Sequence, residues 1–410
     1  MRLRALLAAA LLLVPAGVPA SAQRPAVLAA WTQLGLHGEL LARAVTSGDC
    51  PQLTVDGRSV RLRLRAAPAP NFAVRSCEMV IPRGAKVVAL RGRRLPVLAA
   101  RLRTVAVLGD TGCRIELIFF QACNDARKWP FPGIAKLIAQ QRPDLVIHVG
   151  DYYYRETACL VPGCAGSPHG DNWPVWWVDF FAPAAPMLAA APLLAVRGNH
   201  EDCERGGAGW DRFLDVYAYA ACSDHERAYA TSASDLRFFV MDSSKALDAR
   251  PSRSETPAFG ADFAALRSLP AAPTWLLTHR PLWGIDATLT GLTLSINRTL
   301  EAAEGNARAL PVELVLSGHI HLFEALSFAD RRPPQIVVGT GGDTLSNLPG
   351  HVIGQPIDGT RVSRGVVRHA FGFAVFHLDT HTIDIYDRVG SKAYICRYGP
   401  GQVSCREATD

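Results

Sequence analysis

The stretch VLGDTGCRI, Val107–Ile115, begins as an apolar run and ends in a tight turn. The run predicts a buried strand, Gly109 permits a sharp change of direction, and Asp110 places a carboxylate directly after it. Such a position suits a metal ligand, but a hard metal needs several oxygen ligands close together. Two positions after Asp110, Gly112 offers no side chain. The stretch therefore predicts a strand end and raises the question of which residue supplies the missing ligand.

The same pattern recurs downstream, where short apolar runs end in glycine and polar residues. The runs are RTVAVLGD, PDLVIHVGD, LLAVRGNH, RFFVMDSS, TWLLTHRP, VELVLSGHIH and QIVVGTGGD, and GIAKLIAQQR between the first two predicts a helix. Short strands with polar residues at their C-terminal ends are typical of an α/β architecture, in which ligands bind outside the carboxyl ends of the strands. We therefore expect a β-α sandwich. The alternating stretch FGFAVFHLDTHTIDIYDRVG predicts a C-terminal hairpin around residues 379–381.

The N-terminus has the features of a cleaved signal peptide over residues 1–22. Arg2 and Arg4 precede a short apolar run over residues 5–14, and a small-residue cleavage site lies at residues 20–22. The alternative is a membrane anchor, but spanning a bilayer takes about 20 apolar residues, and Pro15 and Pro19 interrupt this run. The sequence predicts export to the periplasm or the cell exterior without a membrane anchor.

Charge gives a weak indication of the partner. The formal net charge is +6, and removal of Arg2 and Arg4 with the signal peptide lowers it to +4. The sequence has no block of Lys and Arg, so it does not indicate a nucleic-acid partner. A mildly positive protein suits a small anionic substrate. Nothing in the sequence predicts the oligomeric state.

Ten cysteines all lie after residue 22, and an even number in an exported chain predicts disulfides. Pairing sequence neighbours would close five short loops, at 50–77, 113–123, 159–164, 203–222 and 396–405. The alternative is a thiolate metal site, but the sequence contains no Cys-x-x-Cys pair. A 113–123 disulfide would brace the turn that follows Asp110.

The chain divides by pattern into four parts. After the signal peptide, residues 23–100 predict a small, mostly β module, in which WTQLGLHGELLARAVT (31–46) predicts a helix and QLTVDGRSVRLRLRAA (52–67) a hairpin around Asp56-Gly57. Residues 101–395 form the main domain. Residues 396–410 are a tail closed by a disulfide.

Polar residues of unusual type follow the predicted strands: Asp110, Asp151, Tyr154, Asn199, His200, His279, His319 and His321. Taken singly, each has an ordinary structural explanation, as do GGDT (341–344) and GD (170–171), which predict turns, and His148, which predicts a packed side chain. Their common placement after strands argues for a site. Carboxylate, amide oxygen and imidazole together suit Zn, Fe or Mn better than Ca or Mg alone.

Five blocks, GD (109–110), GDYYY (150–154), GNHE (198–201), TH (278–279) and GHIH (318–321), resemble the calcineurin-like metallophosphoesterases in both motif and order. The resemblance spans most of residues 101–325. It implies two mixed sheets flanked by helices, two metal ions that share one carboxylate, and hydrolysis of a phosphate ester by attack of metal-bound hydroxide.

Most members of that superfamily have Asp-x-His in the first block, whereas this chain has Asp-x-Gly followed by Gly-Asp-x-x-Tyr. This pair of changes resembles the purple acid phosphatase subgroup. It implies that a phenolate replaces a histidine and that the first metal is Fe(III). The metal ligands implied by the resemblance are Asp110, Tyr154 and His321 for Fe(III), Asn199, His279 and His319 for Fe(II), Zn(II) or Mn(II), and Asp151 as the bridge.

His200 is not a metal ligand in the family. It is implied as the catalytic residue that binds phosphate and assists the leaving group, and its alternative role is to orient Asn199. Among its neighbours, Glu201 is expected to orient ligands, Arg280 to pair with a carboxylate or touch phosphate, and His169 to lie in an exposed loop. Trp173, Trp176 and Trp177 are expected to pack in or beside the core.

These observations predict an exported acid phosphatase that hydrolyses phosphate monoesters. The nearest alternative is a phosphodiesterase or nucleotidase that uses the same site. An alternative of another class is a non-catalytic, disulfide-rich secreted binding protein with a degenerate site. The presence of a suitable residue at every expected ligand position argues against that alternative.

Overall fold

The computed structural model describes residues 26–287 and 293–409, so the predicted signal peptide lies outside the described residues. Among the residues it describes, no helix combines the length and the apolar character needed to cross a membrane.

The N-terminal region contributes eight strands: β1 (Val27–Leu34), β2 (Leu40–Thr46), β3 (Gln52–Val55), β4 (Arg58–Arg61), β5 (Arg63–Ala66), β6 (Arg75–Ile81), β7 (Val88–Leu90) and β8 (Arg93–Leu95). The central region contributes β9 (Thr104–Leu108), β10 (Ile115–Glu116), β11 (Phe119–Phe120), β12 (Leu145–His148), β13 (Leu193–Ala195), β14 (Tyr229–Ala233), β15 (Leu236–Val240), β16 (Thr274–Leu277), β17 (Gly284–Ala287), β18 (Thr293–Ile296), β19 (Leu314–Ser317), β20 (Phe323–Phe328) and β21 (Gln335–Val338). The C-terminal region contributes β22 (Pro356–Ile357), β23 (Thr360–Arg368), β24 (Gly372–His377), β25 (Thr382–Asp387), β26 (Lys392–Gly399) and β27 (Gln402–Glu407).

The α-helices of the described residues are α1 (Phe131–Gln141), α2 (Trp173–Trp176), α3 (Ala182–Ala190), α4 (Gly207–Phe213), α5 (Thr256–Ser268) and α6 (Arg298–Glu304). A π-helical segment, Trp177–Phe181, joins α2 to α3, and short 3-10 turns lie at Pro162–Cys164, Asn199–Glu201 and Ala307–Ala309. The helix predicted from GIAKLIAQQR is confirmed as the greater part of α1.

Two large mixed sheets form the centre of the molecule. The first has the strand order β27-β26-β25-β24-β9-β12-β13-β1-β2-β6-β5, and the second has the order β14-β15-β16-β19-β21-β20-β23-β22. Each is parallel at its centre, through β9, β12 and β13 in the first and through β15, β16, β19 and β21 in the second. This arrangement confirms the predicted α/β sandwich.

Strand β9 shows why these sequences form buried layers. Side chains alternate across a strand, so Val105 and Val107 pack between the two sheets, whereas Ala106 and Leu108 face the helical layer that contains α1. Helices α5 and α6 cover the outer face of the second sheet. Because both faces of β9 are buried, its sequence is a continuous apolar run.

The N-terminal region is mostly β, as predicted, but the helix predicted over residues 31–46 is wrong. That segment forms the antiparallel strands β1 and β2, and Gly38 adopts a left-handed φ of 75° in the turn between them. Strands β1, β2, β6 and β5 extend the first sheet, and β4, β3, β7 and β8 form a separate sheet. The hairpin around Asp56-Gly57 is confirmed by the β3–β4 pairing. The boundary at residue 100 stays a prediction.

All five predicted disulfides are confirmed, joining Cys50–Cys77, Cys113–Cys123, Cys159–Cys164, Cys203–Cys222 and Cys396–Cys405. The C-terminal hairpin is confirmed by the β24–β25 pairing, in which His377 lies opposite Thr382. The last disulfide joins β26 to β27, so the predicted tail is also the edge of the first sheet.

Candidate active site

The candidate site lies where the parallel strands of both sheets end. Asp110 follows β9, Asp151 and Tyr154 follow β12, Asn199 and His200 follow β13, His279 follows β16, and His319 and His321 follow β19. Carboxyl ends of parallel strands meet at one edge of a sheet. The packing of the two sheets therefore brings together side chains that are more than 200 residues apart in sequence.

Two groups of metal-binding atoms converge at this edge. One consists of Asp110, Asp151 and His321, and the other of Asp151, His279 and His319; within each group the ligand atoms lie within 4.8 Å of one another. Asp151 belongs to both groups and is 1% exposed. A carboxylate common to two adjacent groups has the placement needed to bridge two cations.

Tyr154 and Asn199 complete the two groups. The Tyr154 hydroxyl lies 2.7 Å from Asp151 Oδ2, 3.2 Å from Asp110 Oδ1 and 3.0 Å from His321 Nε2. Asn199 Oδ1 lies 3.1 Å from His279 Nε2. The structure thus brings all seven predicted ligand side chains to one place.

Gly112 faces the ring of Tyr154. A Cβ atom at position 112 would lie 2.8 Å from Tyr154 Cδ2 and 2.9 Å from both Tyr152 O and Tyr154 N. Two of these neighbours are backbone atoms, which have little freedom to move. The absence of a side chain at Gly112 therefore lets Tyr154 approach the first metal-binding turn.

Each of the three histidines predicted as metal ligands has one ring nitrogen within hydrogen-bonding distance of a carbonyl or carboxylate oxygen. His279 Nδ1 lies 2.8 Å from Val149 O, His321 Nδ1 lies 2.7 Å from Thr344 O, and His319 Nε2 lies 2.9 Å from Asp248 Oδ2. An acceptor on the far nitrogen fixes the tautomer and leaves the other nitrogen free to bind a metal. This hydrogen-bonding pattern fits imidazoles that act as ligands.

Three of the predicted ligands have strained backbones. Asp110, Asp151 and His319 adopt φ values of 56°, 59° and 69°, in the left-handed region that non-glycine residues rarely occupy. Strain of this kind costs on the order of 1–3 kcal/mol per residue and clusters at functional sites. The turns after β9, β12 and β19 are therefore shaped for side-chain placement at a cost in stability.

Glu201 ties the turn after β12 to its own turn after β13. Its carboxylate accepts hydrogen bonds from the backbone N–H groups of Asp151, Tyr152, Tyr153 and Gly198, at distances between 2.8 and 3.1 Å. Burial and the neighbouring Asp151 raise the pKa of Glu201 to about 8, and the donated N–H groups oppose that shift. The structure agrees with the expectation that Glu201 orients the ligands.

His200 lies beside the two groups. Its backbone N–H donates to Asp151 Oδ1 at 3.0 Å, its ring centroid is 4.0 Å from that of Tyr154, and its Nδ1 is 2.6 Å from Glu156 Oε1. Burial lowers the pKa of His200 and raises the pKa of Glu156 to about 7. Glu156 therefore orients the imidazole, whose Nε2 lies 3.9 Å from Asp151 Oδ2.

Sequence reasoning missed three carboxylates around the site: Glu156, Asp248 and Asp343. Asp343 Oδ2 lies 3.4 Å from His321 Nδ1 and 2.5 Å from an Arg114 guanidinium nitrogen. The GGDT block is therefore more than the turn that its sequence predicted. It follows β21 in the same way that the ligand motifs follow their strands, and that placement was the available signal.

Other residues singled out from the sequence have structural roles. His148 Nε2 lies 2.9 Å from Thr111 Oγ1, and the imidazole stacks on Tyr152. Trp176 is fully buried and Trp173 packs on Phe181, so the tryptophans pack in and beside the core as predicted. Arg280 contacts Asp248 and His319, and His169 is exposed.

Comparison with known proteins agrees with this fold. The described structure is similar to a purple acid phosphatase isolated from yellow lupin (Lupinus luteus) seeds, with a TM-score of 0.57 and 15% identity over 93% of this chain and 72% of the lupin chain. It is also similar to PhoD, with a TM-score of 0.59 and 12% identity over 96% of this chain and 94% of that one. At such low identities these similarities show the fold alone. A search of curated proteins found no match.

The sequence itself carries the assignment to a family. The calcineurin-like phosphoesterase family matches residues 103–323, just over half of the 410 residues. The matched segment contains all five strand-end motifs and every one of the seven converging ligand side chains. This chain belongs to the calcineurin-like phosphoesterase family.

Proposed function

We propose that this protein is an exported hydrolase of phosphate monoesters, with a two-metal site of the purple acid phosphatase type. Asp110, Tyr154 and His321 would hold Fe(III), and Asp151 would bridge to the second ion. Asn199, His279 and His319 would hold that second ion, which would be Fe(II), Zn(II) or Mn(II). The observation that carries the proposal is the convergence of two ligand groups on one shared carboxylate.

Tyr154 supports a ferric ion at the first position. Burial raises the pKa of Tyr154 well above its ordinary value, and the negative charges of Asp151 and Asp110 add to the shift. The phenol therefore donates to Asp151 Oδ2 in the absence of a cation. Only a strongly charged cation would favour the phenolate in this environment, and a phenolate is a hard donor suited to Fe(III).

The protein's own groups would position the substrate and move a proton. When bound, the two ions would act as Lewis acids that neutralise charge on the phosphate and on the attacking and leaving oxygens. Below about pH 7, where its raised pKa keeps Glu156 protonated, the Glu156 O–H would donate to His200 Nδ1 and leave the single proton of the neutral imidazole on Nε2. His200 would donate that proton, or a hydrogen bond through it, from Nε2 to the leaving oxygen. Arg114, which lies over the Tyr154 ring, adds positive charge at the rim of the site.

Metal analysis combined with a visible spectrum tests the proposal. Iron-loaded protein should contain two metals per chain and show a tyrosinate-to-iron absorption band. Tyr154→Phe should abolish or shift this band, whereas the adjacent Tyr153→Phe should retain it. A wild-type protein with two metals and no band would refute the iron–tyrosinate assignment while leaving the two-metal site. Fewer than two metals, with properties unchanged in Asp151→Asn, would favour the non-catalytic binding protein.

A phosphodiesterase is the second candidate, favoured by the shape around the site. One cavity of about 560 Å³ contains His200 and Tyr154, and a second of about 1080 Å³ contains Asp248; His319 and Asp286 line both. Two cavities that meet at the site provide room for two ester substituents. The ratio of activities on p-nitrophenyl phosphate and bis(p-nitrophenyl) phosphate separates the candidates, and a higher kcat/KM on the diester would favour the second.

A further inference from the structure

An apolar hairpin lines one side of the candidate site and has no role in the proposed chemistry. Strands β10 and β11 form it, and Leu117, Ile118 and Phe119 at its tip are 71%, 81% and 51% exposed. Single exposed apolar residues are common on protein surfaces. Three exposed apolar residues in succession, two in the turn and the third at the start of β11, are uncommon, because two-residue turns favour Asn, Asp and Gly.

The tip has a backbone that its residues do not favour. Leu117 adopts a φ of 50°, in the left-handed region where a bulky side chain is an outlier. Glycine or asparagine would form the same turn with less strain. The cost of keeping apolar side chains here argues for a use of those side chains.

The base of the hairpin is firmly attached to the site. The Cys113–Cys123 disulfide closes it three residues after Asp110, and the N–H of Ile115 donates to Tyr154 O at 3.0 Å. Gln121 Nε2 donates to Gly342 O at 2.8 Å. A hairpin held in this way presents its tip at a constant position relative to the metal ligands.

The hairpin faces the same space as the candidate site. Ile118, Phe119 and Phe120 line the 560 Å³ cavity that also contains Tyr154 and His200. A neighbouring cavity of about 480 Å³ shares Phe120, Gln121 and Thr344 with the first and is also lined by Ala122, Leu345 and Phe371 together with Lys128 and His369. The space at the metal-binding edge therefore continues past the apolar side chains of the hairpin to a second cavity, which has Leu345 and Phe371 among its lining residues.

We infer that the hairpin and the neighbouring cavity bind the apolar part of an amphiphilic phosphoester, an alkyl or aryl group whose phosphate lies at the metal site. This inference rests on the proposed function, because the phosphate supplies the anchor. The occupant is a small molecule and not a surface, because Ile118, Phe119 and Phe120 line the same cavity as the candidate ligands. Substrates with longer apolar groups should therefore bind more tightly.

Binding of n-alkylphosphonates, which carry a carbon–phosphorus bond and resist hydrolysis, tests the inference by calorimetry on metal-loaded protein. Full burial of one methylene strengthens binding about fourfold and half burial about twofold, so hexylphosphonate should bind at least about 30-fold more tightly than methylphosphonate. The double variant Ile118→Ser/Phe119→Ser should lose most of this dependence on length. Val389→Ser, at a 71% exposed apolar residue of another turn, should retain it.

The outcomes distinguish this inference from the proposed function. A flat wild-type series, or an unchanged slope in the double variant, would overturn the inference. A flat series together with binding to neutral phosphatidylcholine vesicles would overturn it in favour of a lipid surface. If the phosphonates bind with the expected slope but phosphate esters are not hydrolysed, the apolar subsite stands and the proposed function fails. If phosphate esters are hydrolysed but affinity does not depend on chain length, the proposed function stands and the apolar subsite fails.

Discussion

Glu201→Gln is a nearly isosteric change that should damage the site severely. In the native protein Oε1 accepts from the N–H groups of Tyr152 and Tyr153, and Oε2 accepts from those of Asp151 and Gly198. The amide keeps one oxygen and turns an NH2 group toward the other two donors. Two fully buried N–H groups then lack an acceptor, and each costs roughly 1–3 kcal/mol.

We expect Glu201→Gln to lower the free energy of unfolding by about 4 kcal/mol, the middle of the range for two such groups. The change should also weaken metal binding by roughly 10- to 100-fold, because the strained turn that carries Asp151 and the turn that carries Asn199 lose their common anchor. Urea denaturation of the metal-free protein at pH 9, where Glu201, with its pKa of about 8, is ionised, measures the first effect. Competition with a chelator measures the second.

Glu324→Gln is the matched control for this change. Glu324 is also fully buried, but its Oε2 accepts one N–H, from Ile285 at 3.2 Å, and its Oε1 has no partner among the described residues. The amide therefore strands no backbone donor, and at pH 9, above the Glu324 pKa of about 8, the change should be stabilising because it removes a buried charge. A loss of less than about 1 kcal/mol in Glu201→Gln with unchanged metal affinity would refute the reasoning. An equal loss in both variants would refute it too, because donor counts would then not matter.

The remaining predictions concern pH, space and charge. Burial raises the folded-state pKa of Glu324 to about 8 from 4.5, so the wild-type protein should lose stability as pH rises from 4.5 to 8, on the order of 5 kcal/mol from this group, and Glu324→Gln should remove that loss in denaturation curves across this range. Gly112→Ala should destabilise by about 3 kcal/mol and displace Tyr154, whereas Gly133→Ala, in open space on α1, should stabilise by about 0.5–1 kcal/mol; thermal unfolding compares the two. Asp343→Asn should weaken metal binding by about tenfold in a chelator competition, and unchanged affinity would exclude a role for its charge.

The central sheets and the ligand set could be predicted because both depend on short-range patterns. A strand buried on both faces is a continuous apolar run, and its end is marked by glycine and polar residues, as at β9 and β12. Parallel neighbours end at the same edge of a sheet, so Asp110 could be expected near Asp151, after β9 and β12, and His279 near His319, after β16 and β19. That these two sets share one site was implied by the family resemblance, because they lie on different sheets. Neighbouring cysteines paired correctly because every disulfide joins cysteines that are at most 27 residues apart in sequence.

The carboxylates that support the ligands could not be predicted in the same way. Glu156 and Asp248 lie in loops whose paths depend on packing, and no spacing marks them in the sequence. The helix predicted over residues 31–46 was wrong for a related reason. Its apolar content fits a helix, but Gly35 and Gly38 break it, and its buried polar side chains are satisfied by contacts with distant residues, as when Arg43 donates to the Phe213 carbonyl.

The relation between Gly112 and Tyr154 is the most informative link between the sequence and the site. In the sequence, Gly112 was a missing ligand and Tyr154 a candidate replacement 42 positions later. In the structure a Cβ at position 112 would lie 2.8 Å from Tyr154 Cδ2 and 2.9 Å from the backbone atoms Tyr152 O and Tyr154 N. A histidine at position 112 therefore conflicts both with the Tyr154 ring and with the backbone that carries it. The two changes that distinguish this chain from an Asp-x-His phosphoesterase are then a single structural alternative, because the backbone path that places the Tyr154 ring beside Asp110 leaves room only for glycine at position 112.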